Sequence, residues 1–164
     1  MDHFRRLYYE THANAYDLLT EAEILFDREK FARAYALAFT ALKEIAKSQL
    51  AADVYTGLVD ADEFESQSRN HQWKIHSMGW ATEDAKRYLD LDGEIYLNGD
   101  HPTMAKRMSA LYTDINGTDI QKPTSLFTRE NAQFIIHTVR VAMERIMEIT
   151  EYWGYQIGTK GFMK

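Results

Sequence analysis

Only two prolines, Pro102 and Pro123, interrupt the 164 residues, and only eight glycines. Proline breaks a helix interior and glycine weakens one, so their scarcity permits long uninterrupted helices. Three segments use that freedom. Near the start Phe4, Leu7, Tyr8, Ala15, Leu18, Ala22 and Leu25 recur at three- and four-residue spacing. Asp27 then offers an N-cap, and Phe31, Ala34, Tyr35, Ala38, Phe39, Leu42, Ile45, Ala46 and Leu50 carry on the period. The last stripe, Ala132, Ile135, Val139, Ala142, Ile146, Ile149 and Trp153, is the cleanest and predicts a long bundle helix. The expected fold is all-α: an up-and-down bundle of four to five helices, forming one domain over residues 1–164.

Between these segments the pattern is less regular. Asp62 to about Ser77 reads as one polar helix, TEDAKRYL after Gly79 as a short one, and Pro102 to Ile115 as another. NGTDIQKPTS reads as a loop from its Gly, Pro, Asn and Ser content. Cysteine is absent, so neither disulfides nor a thiolate metal site is available, which fits a reducing cytoplasm. No segment has the roughly 18 apolar residues of a membrane helix, and the N-terminus lacks a signal-peptide core. A net charge of −6 argues against a broad nucleic-acid-binding coat. Any RNA must be met locally, at a positive cleft on an acidic protein.

One octapeptide concentrates chemistry: RNHQWKIH, Arg69 to His76. On a continuous helix seven residues advance about 700°, bringing Arg69 and His76 within about 20° of each other and roughly 10 Å apart. His71 and Lys74, three apart, occupy an adjacent stripe. A histidine titrating near neutrality can move the proton of a ribose 2′-hydroxyl, and a guanidinium can grip the phosphate. The RNA then supplies its own nucleophile, and no metal or cofactor is called for. The remaining histidines, His3, His12, His101 and His137, have no partner at useful spacing. His137 falls with Gln133, Arg140 and Glu144 on the polar side of the last helix.

These residues resemble the HEPN superfamily, whose ribonucleases carry an Arg, a polar residue and then a His on a helix of an all-α bundle. Arg69, Asn70 and His76 match that pattern. Three stretches are similar to the AbiV-type abortive-infection family in particular. ALKEIAKSQL resembles its EE-(L/I)-GK helix, with Glu44 and Lys47 falling on the second acid and the lysine, and with Lys43 and Ala46 departing from the first acid and the glycine. FESQSRNHQWKI resembles its Phe…His-x-x-Lys element through Phe64, His71 and Lys74. LYTDINGTDIQKP resembles its Leu-Tyr-(Val)-Asp segment through Leu111, Tyr112, Asp114, Gly117 and Pro123.

The resemblance implies a metal-independent endoribonuclease or toxin of a phage-defence or stress-response system. It implies a homodimer, with Arg69 and His76 catalytic and Asn70, His71, Lys74, Glu44 and Lys47 binding substrate or supporting the site. A phage or antitoxin protein is a further expected partner. His71 and Lys74 have a second reading, as scaffold residues hydrogen-bonded to Glu44. Trp73 and Trp80 would supply apolar surface for a dimer interface. Two alternatives remain: a non-catalytic HEPN module that binds a protein partner, and a histidine phosphotransfer domain suggested by His71-Gln72-Trp73-Lys74. The bulky Ile75-His76 after the lysine weighs against the latter.

Overall fold

The computed structural model describes residues 2–79, 81, 84–85, 102–152, 156–157 and 161–162. Seven helices are described: α1 Asp2–Asp27, α2 Phe31–Tyr55, α3 Ala61–Arg69, α4 His71–Ser77, α5 Met104–Leu111, α6 Pro123–Leu126 and α7 Arg129–Tyr152. Four short strands accompany them: β1 Asp114–Asn116, β2 Asp119–Gln121, β3 Gln156–Ile157 and β4 Gly161–Phe162. The architecture is the expected all-α helical bundle. Its count is higher because the polar middle segment is divided and because α6 is a single short turn.

The reason for the bundle lies in α2. This 25-residue helix, about 38 Å long, packs against α1 and α7 and also meets α3, α4, α5 and α6. It is buried on nearly every side, and alanines supply eight of its buried residues: 32, 34, 36, 38, 41, 46, 51 and 52. Alanine favours helix and leaves room for neighbouring backbones to come close. Larger side chains fill what remains: Phe39, Leu42 and Ile45 from α2 pack in one cluster with Ile135 and Val139 from α7 and Leu19 from α1. The apolar stripes of the sequence are thus the faces that meet. Ile149 and Trp153 of the last stripe, and most of TEDAKRYL, fall outside the described residues or side chains.

The α1–α2 turn corrects one expectation. Asp27 is the last residue of α1, and the N-cap position of α2 is Lys30, whose side chain caps nothing. The chain instead closes α1 with two reversed bonds: Lys30 N–H donates to Leu25 carbonyl at 2.8 Å and Glu29 N–H to Phe26 carbonyl at 2.9 Å. That pattern is a Schellman motif, and it places Glu29 at φ 58°. The end of α2 repeats the device with Gly57 at φ 80°. Glycine adopts this region freely, whereas an L side chain is strained there. Replacing Glu29 with glycine is therefore expected to stabilise the protein by about 1 kcal/mol, which thermal melting would register as a rise of about 2–4 °C.

NGTDIQKPTS is not a loop throughout. Asp114–Asn116 pairs antiparallel with Asp119–Gln121, Ile115 opposite Ile120, around Gly117-Thr118. Glycine at the first turn position supplies φ 63°, which a tight two-residue hairpin turn requires. Pro123 then opens α6 at its first turn, where no N–H is missed.

Candidate active site

One stripe of α2 escapes full burial. Thr40, Lys43, Glu44 and Lys47, at spacings of three and four, are half-buried on a helix whose other faces are closed. Glu44 is its hub. It accepts a hydrogen bond from Asn14 Nδ2 of α1 at 3.1 Å and pairs with Lys47 Nζ at 2.8 Å. From α5, Arg107 Nε donates to Thr40 Oγ1 at 3.3 Å. From α4, which packs on α2, comes Lys74. This residue is 7% exposed, and its Nζ donates to the carbonyl of Ser68. Lys74 and His71 are three apart on that helix, and His71 remains exposed. The expected hydrogen bonds from His71 and Lys74 to Glu44 are not those that form: Asn14 and Lys47 occupy Glu44, and Lys74 senses it through charge alone.

The charges act on one another. Burial pushes the Lys43 ammonium down to about 8, and Lys74 and Arg107 push it the same way against the pull of Glu44. Lys74 is lowered by burial and by Lys47. The His71 imidazole lies below its ordinary range, first because of Lys43, then through burial, Lys74 and Arg107. A histidine held neutral beside cations can accept a proton near pH 7, while the cations can hold a phosphate.

The single polar helix from Asp62 to Ser77 does not exist as one element. Asn70 is extended (φ −81°, ψ 105°) and ends α3 while capping α4, its side chain accepting from Trp73 N–H at 3.0 Å. The 700° arithmetic therefore fails at Asn70, because a short polar side chain that can satisfy a free N–H favours a cap over a helix interior. Arg69 is the last residue of α3, paired with Glu65 at 2.6 Å, with both side chains largely exposed at 79% and 67%. His76 is exposed on α4 about 200° round from Lys74. It lines a groove with Asn70, Trp73, Pro102, Thr103 and Met104, and Arg69 is not part of that lining. Within the described chain, then, His71, Lys74, Glu44 and Lys47 are brought together, whereas Arg69 and His76 stand on different helices, the first paired with Glu65 and the second lining the groove.

Three residues of the cluster escaped the sequence reading. Lys43 was visible as a member of the 40/43/44/47 stripe, but stood out only as a departure from a family acid. Arg107 and Asn14 carried no spacing signal, since α5 and α1 meet α2 only in the fold. His137 is half-buried, and burial lowers its imidazole. Trp73 is half-buried, while Trp80 and His101 lie outside the described residues. Among the described residues no three His, Asp or Glu side chains converge as a metal site, and no helix is long and apolar enough to cross a membrane.

The elements that carry Glu44, Lys47, His71 and Lys74 come from separate stretches and meet on one face. A family model described as AbiV, of the HEPN type, matches residues 3–144. The chain belongs to the AbiV family of HEPN proteins. The AbiV match runs from α1 into α7 and contains every residue of the cluster. No curated protein and no solved structure matches the chain significantly. The chain is thus an AbiV-type, abortive-infection HEPN domain by family, and its chemistry has to be argued from the site.

Proposed function

We propose that this AbiV-family chain cleaves RNA without a metal, at the face formed by Glu44, Lys47, His71, Lys74 and Arg107. The carrying observation is the concentration of cations around Glu44 on a chain of net charge −6. Local phosphate binding needs such a concentration, and a broad coat is unavailable to an acidic protein. In the reaction a 2′-oxygen attacks the adjacent phosphorus and its proton passes to neutral His71. The P–O2′ bond forms, the P–O5′ bond breaks, and the 5′-oxygen must leave with a proton. The products are a 2′,3′-cyclic phosphate and a 5′-hydroxyl.

Arg107 holds the phosphate in this reading, and the buried Lys74 adds positive charge behind it. Thr40 fixes the guanidinium and the Ser68 carbonyl fixes the ammonium, and such preorganised donors stabilise developing charge. Glu44 holds Lys47 and, by accepting from Asn14, ties the face to α1. Arg69 and His76 serve as comparison positions: Arg69 is exposed and paired with Glu65, and His76 lines the groove beside α4.

Purified protein with single-stranded RNA at low ionic strength should yield fragments ending in cyclic phosphate, at the same rate with and without EDTA. Activity that vanishes with chelator and returns with magnesium rejects the mechanism. No cleavage under either condition, with a protein partner retained on purification, favours the non-catalytic binding module.

A further inference from the structure

The proton required by the leaving 5′-oxygen has a source within the cluster. Among the cations of the cluster, three are already engaged: Lys47 with Glu44, Lys74 with the Ser68 carbonyl and Arg107 with Thr40. Lys43 is not. Among the described residues its Nζ has no hydrogen-bond partner, and its recorded contact is with the Phe39 ring, 6.0 Å to the centroid. It stands one turn beyond Thr40, the residue that anchors Arg107, and next to Glu44 on the half-buried stripe of α2. His71 approaches from a different helix, so proton acceptor and proton donor sit on separate, packed elements.

We propose that Lys43 is the general acid of the cleavage reaction, donating its Nζ proton to the departing 5′-oxygen as His71 takes the 2′-proton. The inference rests on the ribonuclease reading above. Protons balance: His71 gains one, Lys43 loses one, and solvent resets both. The charge environment agrees. Lys74 and Arg107 face Lys43 from α4 and α5 and make its proton easier to give up, while Glu44 opposes them and Lys47 adds to them from α2. Arg107 cannot serve, because a guanidinium does not release its proton in water. Lys74 is buried and held. Lys43 also occupies the position where the resembling family motif carries an acid, so the role belongs to this chain's own sequence.

The test uses two RNA substrates, one ordinary and one whose scissile bridging 5′-oxygen is sulfur. A thiolate leaves without protonation. Lys43→Met is expected to slow cleavage of the ordinary RNA by about 10²-fold or more, yet to cleave the sulfur-bridged RNA at close to the wild-type rate. Lys43→Arg should behave in the same way, because it keeps the charge and cannot deliver the proton. His71→Ala should be slow on both substrates. Equal slowing of Lys43→Met on the two RNAs overturns the inference and leaves the ribonuclease reading in place, as does full activity of Lys43→Arg on ordinary RNA. Failure of the wild type to cleave either substrate removes both.

Discussion

Replacing His71 with alanine is expected to slow RNA cleavage by about 10²–10⁴-fold, the usual effect of losing a proton-transfer group. The melting temperature should stay nearly unchanged, since the side chain is exposed and fills no core space. Its pH dependence has a defined sign. Cleavage needs the neutral imidazole, and Lys43, burial, Lys74 and Arg107 all disfavour the charged form. The acidic limb of the rate profile should therefore lie below the ordinary histidine value of 6.5. Removing the charge of Lys43 should move that limb upward. Arg69→Ala and His76→Ala provide the contrast and should retain most activity. If instead either abolishes cleavage while His71→Ala remains active, the chemistry lies in the groove beside α4 and not on the α2 face.

Lys43→Met is the second large effect, and it concerns stability. In the folded chain Lys43 titrates at about 8, against an ordinary 10.5. Below about 8 both folded and unfolded chains hold this proton, so the full cost of burying the charge among Lys74 and Arg107 is present. Between 8 and 10.5 the unfolded chain binds more proton than the folded one, so stability rises with pH. Above 10.5 the cost is gone. Methionine removes it at every pH. The expected gain at pH 7 is on the order of 1–2 kcal/mol after allowance for solvent screening of a half-buried group. That corresponds to a melting temperature about 3–6 °C higher, while cleavage of ordinary RNA collapses. Urea titrations of both proteins at pH 7 and pH 10 test it: the gap should narrow at the higher pH. A variant less stable than the wild type at pH 7 would mean that the ammonium is held by favourable contacts.

The sequence revealed the bundle through its apolar period because α1, α2 and α7 are long enough for many repeats to agree. Ala15, Ala22, Phe39, Leu42, Ile45, Ile135 and Val139 all lie in the core that the spacing indicates, while on α1 Leu19 is buried where the spacing points to its neighbour Leu18. Short elements were less legible. Asn70 fitted a polar-residue position in a motif, and its power to end one helix and start another became visible only with its bond to Trp73 N–H. Likewise Gly117 is a loop signal in the sequence, yet its turn joins two paired strands. At the candidate site, resemblance supplied Glu44, Lys47, His71 and Lys74, the residues that the fold then gathers. Resemblance also supplied Arg69 and His76, but the helical phase that put them on one stripe does not survive the break at Asn70. Arg107 and Asn14 were illegible because their relevance comes from tertiary neighbours 67 and 30 residues away.

Helix α2 gives the site an unusual support. Four of the relevant side chains, Thr40, Lys43, Glu44 and Lys47, grow from the helix most enclosed by the rest of the chain. Amide protons on so enclosed a helix exchange with solvent mainly when the whole domain opens, whereas helix ends and surface hairpins open on their own. Fraying of the β1–β2 hairpin or of the chain termini would leave the spacing of these four groups intact. Heat should accordingly erase function in one step with the fold: the temperature that halves residual cleavage should coincide with the calorimetric midpoint, with no warmer interval of folded but inactive protein.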